Sequence, residues 1–160
     1  MPKIVAISDT HGNHLDLGAL PAGDILIHAG DCTDDIGQAS LRNFLKWMEI
    51  QPFAHKIFIA GNHDGAFEKW PDLARSMVKE VAPSCTYLQD SGCEFMGLKL
   101  WGSPVTPEFF DWHFNRKRGS DIKRHWDMIP EGTDVLITHG PPKGYGDWTD
   151  FRKEHAGDDD

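Results

Sequence analysis

Four short stretches of the chain are apolar almost throughout, and each runs straight into a polar cluster. KIVAIS (3–8), DILIHAG (24–30), HKIFIAG (55–61) and DVLITHG (134–140) are rich in Ile, Leu and Val. Unbroken runs of that length predict parallel strands covered on both faces. Between them the period changes. In SLRNFLKWMEI (40–50), Leu41, Phe44, Leu45 and Met48 recur at helical spacing, which predicts a helix with one buried stripe. FEKWPDLARSMVKEVA (67–82) predicts another, with Pro71 tolerated only at a start or a break. EFMGLKLWG (94–102) reads as a tight hairpin turning at Gly97. PEFFDWHFNRKRGSDIKRHWDMIP (107–130) is mixed and reads as two short helices. No repeat, low-complexity segment or internal linker interrupts the pattern, so a single α/β domain over residues 1–160 is expected.

The polar clusters are where chemistry enters. The first strand empties onto SDTHG, the second onto GDCTD, the third onto GNHD and the last onto THGPP. In open α/β sheets, ligands collect outside the C-terminal ends of the strands. Asp9, His11, Asp31, Asn62, His63 and His139 are therefore expected to converge, with Gly12, Gly30, Gly61 and Gly140 allowing sharp turns beside them. Carboxylates, imidazoles and an amide without cysteine suit Mn²⁺, Fe, Zn²⁺ or Ni²⁺. Asp9 and His11, two apart, point to one side in extended backbone and grip one ion. Asp31 can bridge two ions through its two oxygens, with Asn62 and His139 serving the second. Two such ions, roughly 3.5–4 Å apart, form a clamp for in-line displacement at phosphorus. His63 is then placed to protonate a leaving alkoxide, and Asp64 to orient His63.

Composition narrows the setting. A net charge of −9 disfavours nonspecific nucleic-acid binding. No apolar run approaches the roughly 20 residues of a membrane span, and MPKIVAISDTHG turns polar too soon for a signal peptide. Cys32, Cys85 and Cys93 are odd in number and lack metal-type spacing, so a reducing, cytoplasmic compartment is expected. P-loop, dinucleotide-binding, zincin and nucleophile-elbow motifs are absent.

These motifs carry a resemblance. Asp9-x-His11, Gly30-Asp31, Gly61-Asn62-His63-Asp64 and Thr138-His139-Gly140-Pro141-Pro142 are similar, in order, to those of the calcineurin-like metallophosphoesterase superfamily. HGPPKGYGD and WGSPVTPEFFDWHFNRKRG resemble the subgroup of metallophosphoesterase-domain-containing proteins. The resemblance implies a four-layer α/β/β/α sandwich, a dinuclear centre and phosphodiester or phosphomonoester hydrolysis; two divalent ions, Mn²⁺ first, and a small phosphodiester or nucleotide substrate are expected. It places Asp9, His11 and Asp31 on one metal, Asp31, Asn62 and His139 on the other, and makes His63 catalytic. One departure stands out. The family's closing Gly-His-x-His motif, which supplies a histidine to each metal, does not follow EHAGDDD, and EHAG resembles a segment leading into a helix. The sandwich is therefore expected to be C-terminally incomplete, as a fragment or a short form. A homodimer filling the missing strand is one way to close it. The rival reading is a nucleotide- or phosphate-binding sensor or scaffold without turnover.

Other residues carry plainer readings. His28 reads as a hydrogen-bonded core histidine, His14 as surface or pocket rim, and Cys32 as a small core hydrophobe. The basic run RKRG (116–119) reads as a solvated face or an anion lure. Asn115, Phe110, Trp112 and Phe114 read either as core or as the wall of a base-binding pocket. Trp47 and Trp70 read as packing.

Overall fold

Strands β1 (Ile4–Ile7), β2 (Ile25–Ala29), β3 (His55–Ile59) and β4 (Cys85–Tyr87) lie side by side in that order, all parallel. The computed structural model describes residues 1–34, 36–150 and 153–159. Ile25 pairs with both Ile4 and His55, so the C-terminal ends of β1, β2 and β3 come out level. β2 and β3 are central and almost wholly buried, which is why they read as unbroken apolar runs.

Alternation along those strands sends side chains to two different cores. Ile25, Ile27, Ile57 and Ile59 pack with Leu88, just after β4, and with Leu100 and Ile137 of a second sheet. Leu26 and Phe58 face the other way, onto Leu41, Phe44, Leu45 and Met48 of α1 (Gln38–Glu49) and Ala74, Met77 and Val78 of α3 (Pro71–Val81). Lys56 reaches out of β3 to donate to the carbonyls of Glu49 and Gln51, closing the negative end of α1. The expected helix over 67–82 is two helices. α2 (Ala66–Lys69) ends at Trp70 and Pro71 opens α3 at its first position, where a missing N–H costs nothing.

The second sheet has the order β5 (Ser91–Phe95), β6 (Leu98–Ser103), β9 (Val135–Thr138). β5 and β6 form the expected hairpin, with Met96 and Gly97 both at positive φ, as a two-residue turn of the primed type requires. β9 runs parallel to β6, so DVLITHG belongs to this sheet and not to the one holding the other three apolar runs. The architecture is thus an α/β sandwich of two stacked sheets, with α1 and α3 outside the first. Beside the second sheet, Trp126 of α4 (Ser120–Trp126) and Ile129 share a hollow with Leu136 of β9. No helix among the described residues is long and apolar enough to cross a membrane.

Segment 107–130 departs from the expected pair of helices: α4 is the one that forms. Upstream, β7 (Thr106–Pro107) and β8 (Asn115–Arg116) pair across a loop. There Asn115 donates to the carbonyls of Phe109 and Phe110, which replaces helical bonding. Nor does EHAG lead into a helix. β11 (Glu154–His155) folds back antiparallel on β10 (Trp148–Thr149), held by a bond between Asp147 and His155.

Candidate metal centre

The loops leaving β1 and β2 are zipped together by backbone bonds. Asp9 N donates to Gly30 O, His11 N to Asp31 O and Gly12 N to Cys32 O, each at 3.0 Å. Asp9, His11 and Asp31 sit at φ of 54°, 45° and 54°. Three non-glycine residues in the left-handed region within one cluster mark a strained and over-determined site. The expectation that Asp9 and His11 point to one side in extended backbone is thereby corrected; local turns, not a strand, aim them.

Asp31 is the hub. Its Oδ2 lies 3.6 Å from His11 Nε2 and its Oδ1 3.4 Å from His139 Nε2. The outer nitrogen of each imidazole is already committed. His139 Nδ1 donates to the carbonyl of Ala29 at 2.9 Å, and His11 Nδ1 to Asp34 Oδ1 at 2.5 Å. Each ring therefore turns an Nε2 lone pair inward. Asn62 Oδ1 joins them, 3.0 Å from His139 Nε2, while its buried Nδ2 has no hydrogen-bond partner among the described residues. Ligand atoms of Asp9, Asp31 and His139 all fall within 4.8 Å of one another, as do those of His11, Asp34 and His63. Lone pairs facing lone pairs repel unless a cation lies between them, so the donor set fits divalent metals.

Proton energetics follow the same geometry. Burial raises the Asp31 carboxyl, but bonding and charge from His139 and the His63 N–H outweigh it and hold Asp31 below its ordinary value. Burial lowers His139, yet Asp31 and the Ala29 carbonyl lift it above its ordinary value.

Gly61 is demanded by this closeness. A Cβ there would stand 2.2 Å from Asp31 Oδ1 and 2.8 Å from His139 Cε1. His63 is tethered through its backbone N–H to Asp31 Oδ1 at 2.8 Å, and its ring meets His11 edge-on at 4.9 Å. Asp64 is not beside it chemically. Its carboxylate accepts from Gly61 N, Cys32 N and Sγ, and Thr33 N and Oγ1. The expected orienting role toward His63 gives way to a structural one: Asp64 lashes the β3 loop to the β2 loop. Burial pushes its carboxyl up from the ordinary value, and those bonds oppose the rise.

The orienting carboxylate that sequence reasoning missed is Asp34, on His11. GDCTD held the signal, since a second acid three residues after Asp31 returns to the same loop.

His28 is buried as expected, 2.9 Å from Thr10 Oγ1 and against Phe44. His14 is not at the rim but fully buried against Phe44 and Trp47. Cys32 is in the core, with its thiol pushed well up by burial. Trp47 packs in the core, whereas Trp70 is 43% exposed. The two arginines of the basic run are spent internally. Arg116 pairs with Glu68, and Arg118 binds the carbonyls of Ala156 and Gly157 and the carboxylate of Asp158. Arg118 lines a cavity of about 630 Å³ with Phe109, Lys143 and His155, and none of the candidate metal ligands lines it. Its cations Arg118 and Lys143 both pair with Asp159.

A two-sheet α/β sandwich thus carries, at its strand ends, carboxylate, imidazole and amide donors suited to divalent metals. The chain belongs to the calcineurin-like phosphoesterase family, whose model matches residues 2–156. It is 36% identical to human metallophosphoesterase domain-containing protein 1 over 174 aligned positions, covering 97% of this chain and 53% of that protein. A UPF0046 protein of Caenorhabditis elegans is 38% identical, with 94% of this chain and 58% of that one covered. The chain thus spans little more than half the length of these relatives. Among solved structures, the phosphopantetheinyl hydrolase of Mycobacterium tuberculosis superposes with a TM-score of 0.56 at 16% identity, over 87% of this chain and 68% of that one.

Proposed function

We propose that the domain hydrolyses phosphodiesters at a pair of divalent ions, Mn²⁺ foremost, in the cytoplasm. The reading rests on one observation: each oxygen of Asp31 faces an inward-turned imidazole nitrogen, and the Asn62 amide oxygen lies 3.0 Å from the one on His139. Asp9, His11 and Asp31 would hold one ion, and Asp31, Asn62 and His139 the other. Bound divalent ions polarise phosphoryl oxygens and make water acidic enough to attack at neutral pH.

The chain's own groups do the rest. Ala29 O and Asp34 lock the His139 and His11 tautomers, so that both rings present lone pairs inward. His63, fixed by its bond to Asp31, donates a proton to the leaving alkoxide. A singly charged diester suits this domain better than a dianionic monoester, because the net charge is −9 and Arg116 and Arg118 are occupied by internal partners. Three unpaired cysteines support a reducing compartment.

The experiment is hydrolysis of bis(p-nitrophenyl) phosphate with Mn²⁺, beside p-nitrophenyl phosphate and the Asp31→Asn variant. The expected result is faster turnover of the diester, lost in the variant. Phosphate binding without turnover would instead make this a binding domain.

A further inference from the structure

His113 reaches three points of the segment that carries Asn62 and His63. Its backbone N donates to the carbonyl of Asn62 at 3.2 Å, and its Nδ1 donates to Glu68 Oε2, also at 3.2 Å. Between those two bonds the ring lies directly on Gly65. A Cβ at Gly65 would stand 2.2 Å from both His113 Cδ2 and His113 Nε2, and 2.6 Å from Ile36 Cγ2. Gly65 itself sits at φ −61° and ψ −15°, helical angles that any residue adopts. Space, taken by the imidazole and by Ile36, is therefore what requires glycine there.

The turn under this ring is the one that aims His63. Its own ties run to the metal centre and to the β2 loop. His63 N donates to Asp31, Asn62 Oδ1 lies 3.0 Å from His139 Nε2, and the Asp64 carboxylate accepts from Cys32 N and Thr33 N. His113 adds a tie from a third element, the loop between β7 and β8. That loop is firmly founded. Phe114 is buried in the core with α1 and α3, whereas Phe110 and Trp112 stay exposed, and Thr106 N donates to Phe114 O at 3.1 Å. The His63 ring stands between His11 at 4.9 Å and Trp112, the residue before His113, at 4.8 Å.

We propose that His113 is a positioning residue, whose ring on Gly65 and backbone bond to Asn62 hold the turn so that His63 meets the leaving oxygen. The inference rests on the phosphoesterase reading and adds the element that fixes its proton donor. A general acid acts only within hydrogen-bond reach of the atom it protonates, and a misplacement of about 1 Å costs on the order of a hundredfold in rate. His113 touches no reacting atom in this role; it acts through the turn.

The test uses the full chain and two measurements on His113→Ala and His113→Phe. The first is amide exchange at residues 63–65 without metal. The second is kcat and KM for bis(p-nitrophenyl) phosphate with Mn²⁺. His113→Ala is expected to speed exchange at those amides severalfold and to lower kcat by roughly ten- to a hundredfold with KM unchanged. His113→Phe keeps a ring over Gly65 and is expected to stay near the parent in both. Should His113→Ala fail to fold, His113→Asn, which keeps a donor for Glu68 but empties the space over Gly65, takes its place with the same expected losses. An unchanged kcat in the emptied variant overturns the proposal, even where its melting temperature falls, because that is the mark of a purely structural brace. Equal damage in His113→Phe overturns it as well. If the parent itself never hydrolyses the diester, the phosphoesterase reading falls, and exchange at residues 63–65 alone then decides whether His113 positions the turn.

Discussion

Asp31 gathers more of the site than any other residue, and its neighbours divide cleanly between holding and reacting. His63 contributes its backbone to Asp31 and leaves its ring free to act. His63→Ala is therefore expected to lower kcat by roughly 10²- to 10⁴-fold while Mn²⁺ stoichiometry stays at that of the parent. A loss of metal in that variant would make His63 a ligand instead. His28 carries a different prediction. Burial, aided by the charges of His14 and His139, lowers its pKa from 6.5 to about 3. The native state therefore keeps His28 neutral, while the unfolded chain protonates it below about pH 6.5. As pH falls through that window the unfolded state binds the extra proton, so stability drops by about 1.4 kcal/mol per pH unit until the folded value is reached. His28→Gln, compared with the parent by urea midpoints at pH 7 and pH 5, should show the smaller loss on acidification.

At the scale of elements, the loop between β7 and β8 is held chiefly by one residue of α2. Glu68 receives three donors from that loop: His113 Nδ1 at 3.2 Å, Phe114 N at 3.0 Å and Arg116 Nη1 at 3.3 Å. Glu68→Ala leaves a partly buried guanidinium and a backbone N–H without that acceptor. A cost of about 1–3 kcal/mol is expected, together with faster amide exchange confined to residues 106–116. Unchanged exchange there would show that Asn115 alone braces the loop. The helices over 40–50 and 67–82 were legible because their apolar spacing had no rival. The 107–116 stretch was not, because its aromatic residues mimic a buried helix face, and only Glu68 and Asn115, distant or local acceptors and donors, choose the loop.

For the whole molecule, the inward-facing lone pairs at the metal centre are a stored repulsion that a cation relieves. Mn²⁺ should accordingly stabilise the fold, by about 2.7 kcal/mol at a hundredfold excess over Kd. A thermal melt would show the rise, EDTA would reverse it, and Asp31→Asn would not respond. A melt indifferent to Mn²⁺ in the parent would contradict the metal assignment.

Four apolar runs ending in Asp, His and Asn were enough, read along the chain, to expect those side chains to gather at strand ends, because parallel strands covered on both faces leave only their ends for chemistry. Asn62 and His139, 77 residues apart, were both named that way, and they meet at 3.0 Å. What spacing does not encode is the direction of a side chain once the backbone leaves the strand. Asp64 reads as a partner of the adjacent His63, yet its carboxylate is turned to Cys32 and Thr33 across the gap between two loops. Asp34, unremarkable in sequence, closes on His11 because left-handed turns at His11 and Asp31 bring their loops together. Which sheet DVLITHG joins was likewise open, since an apolar strand matches any apolar face. Strand identity is a local property of pattern, whereas partner and orientation are settled by long-range packing and hydrogen-bond competition, which only the tertiary structure decides.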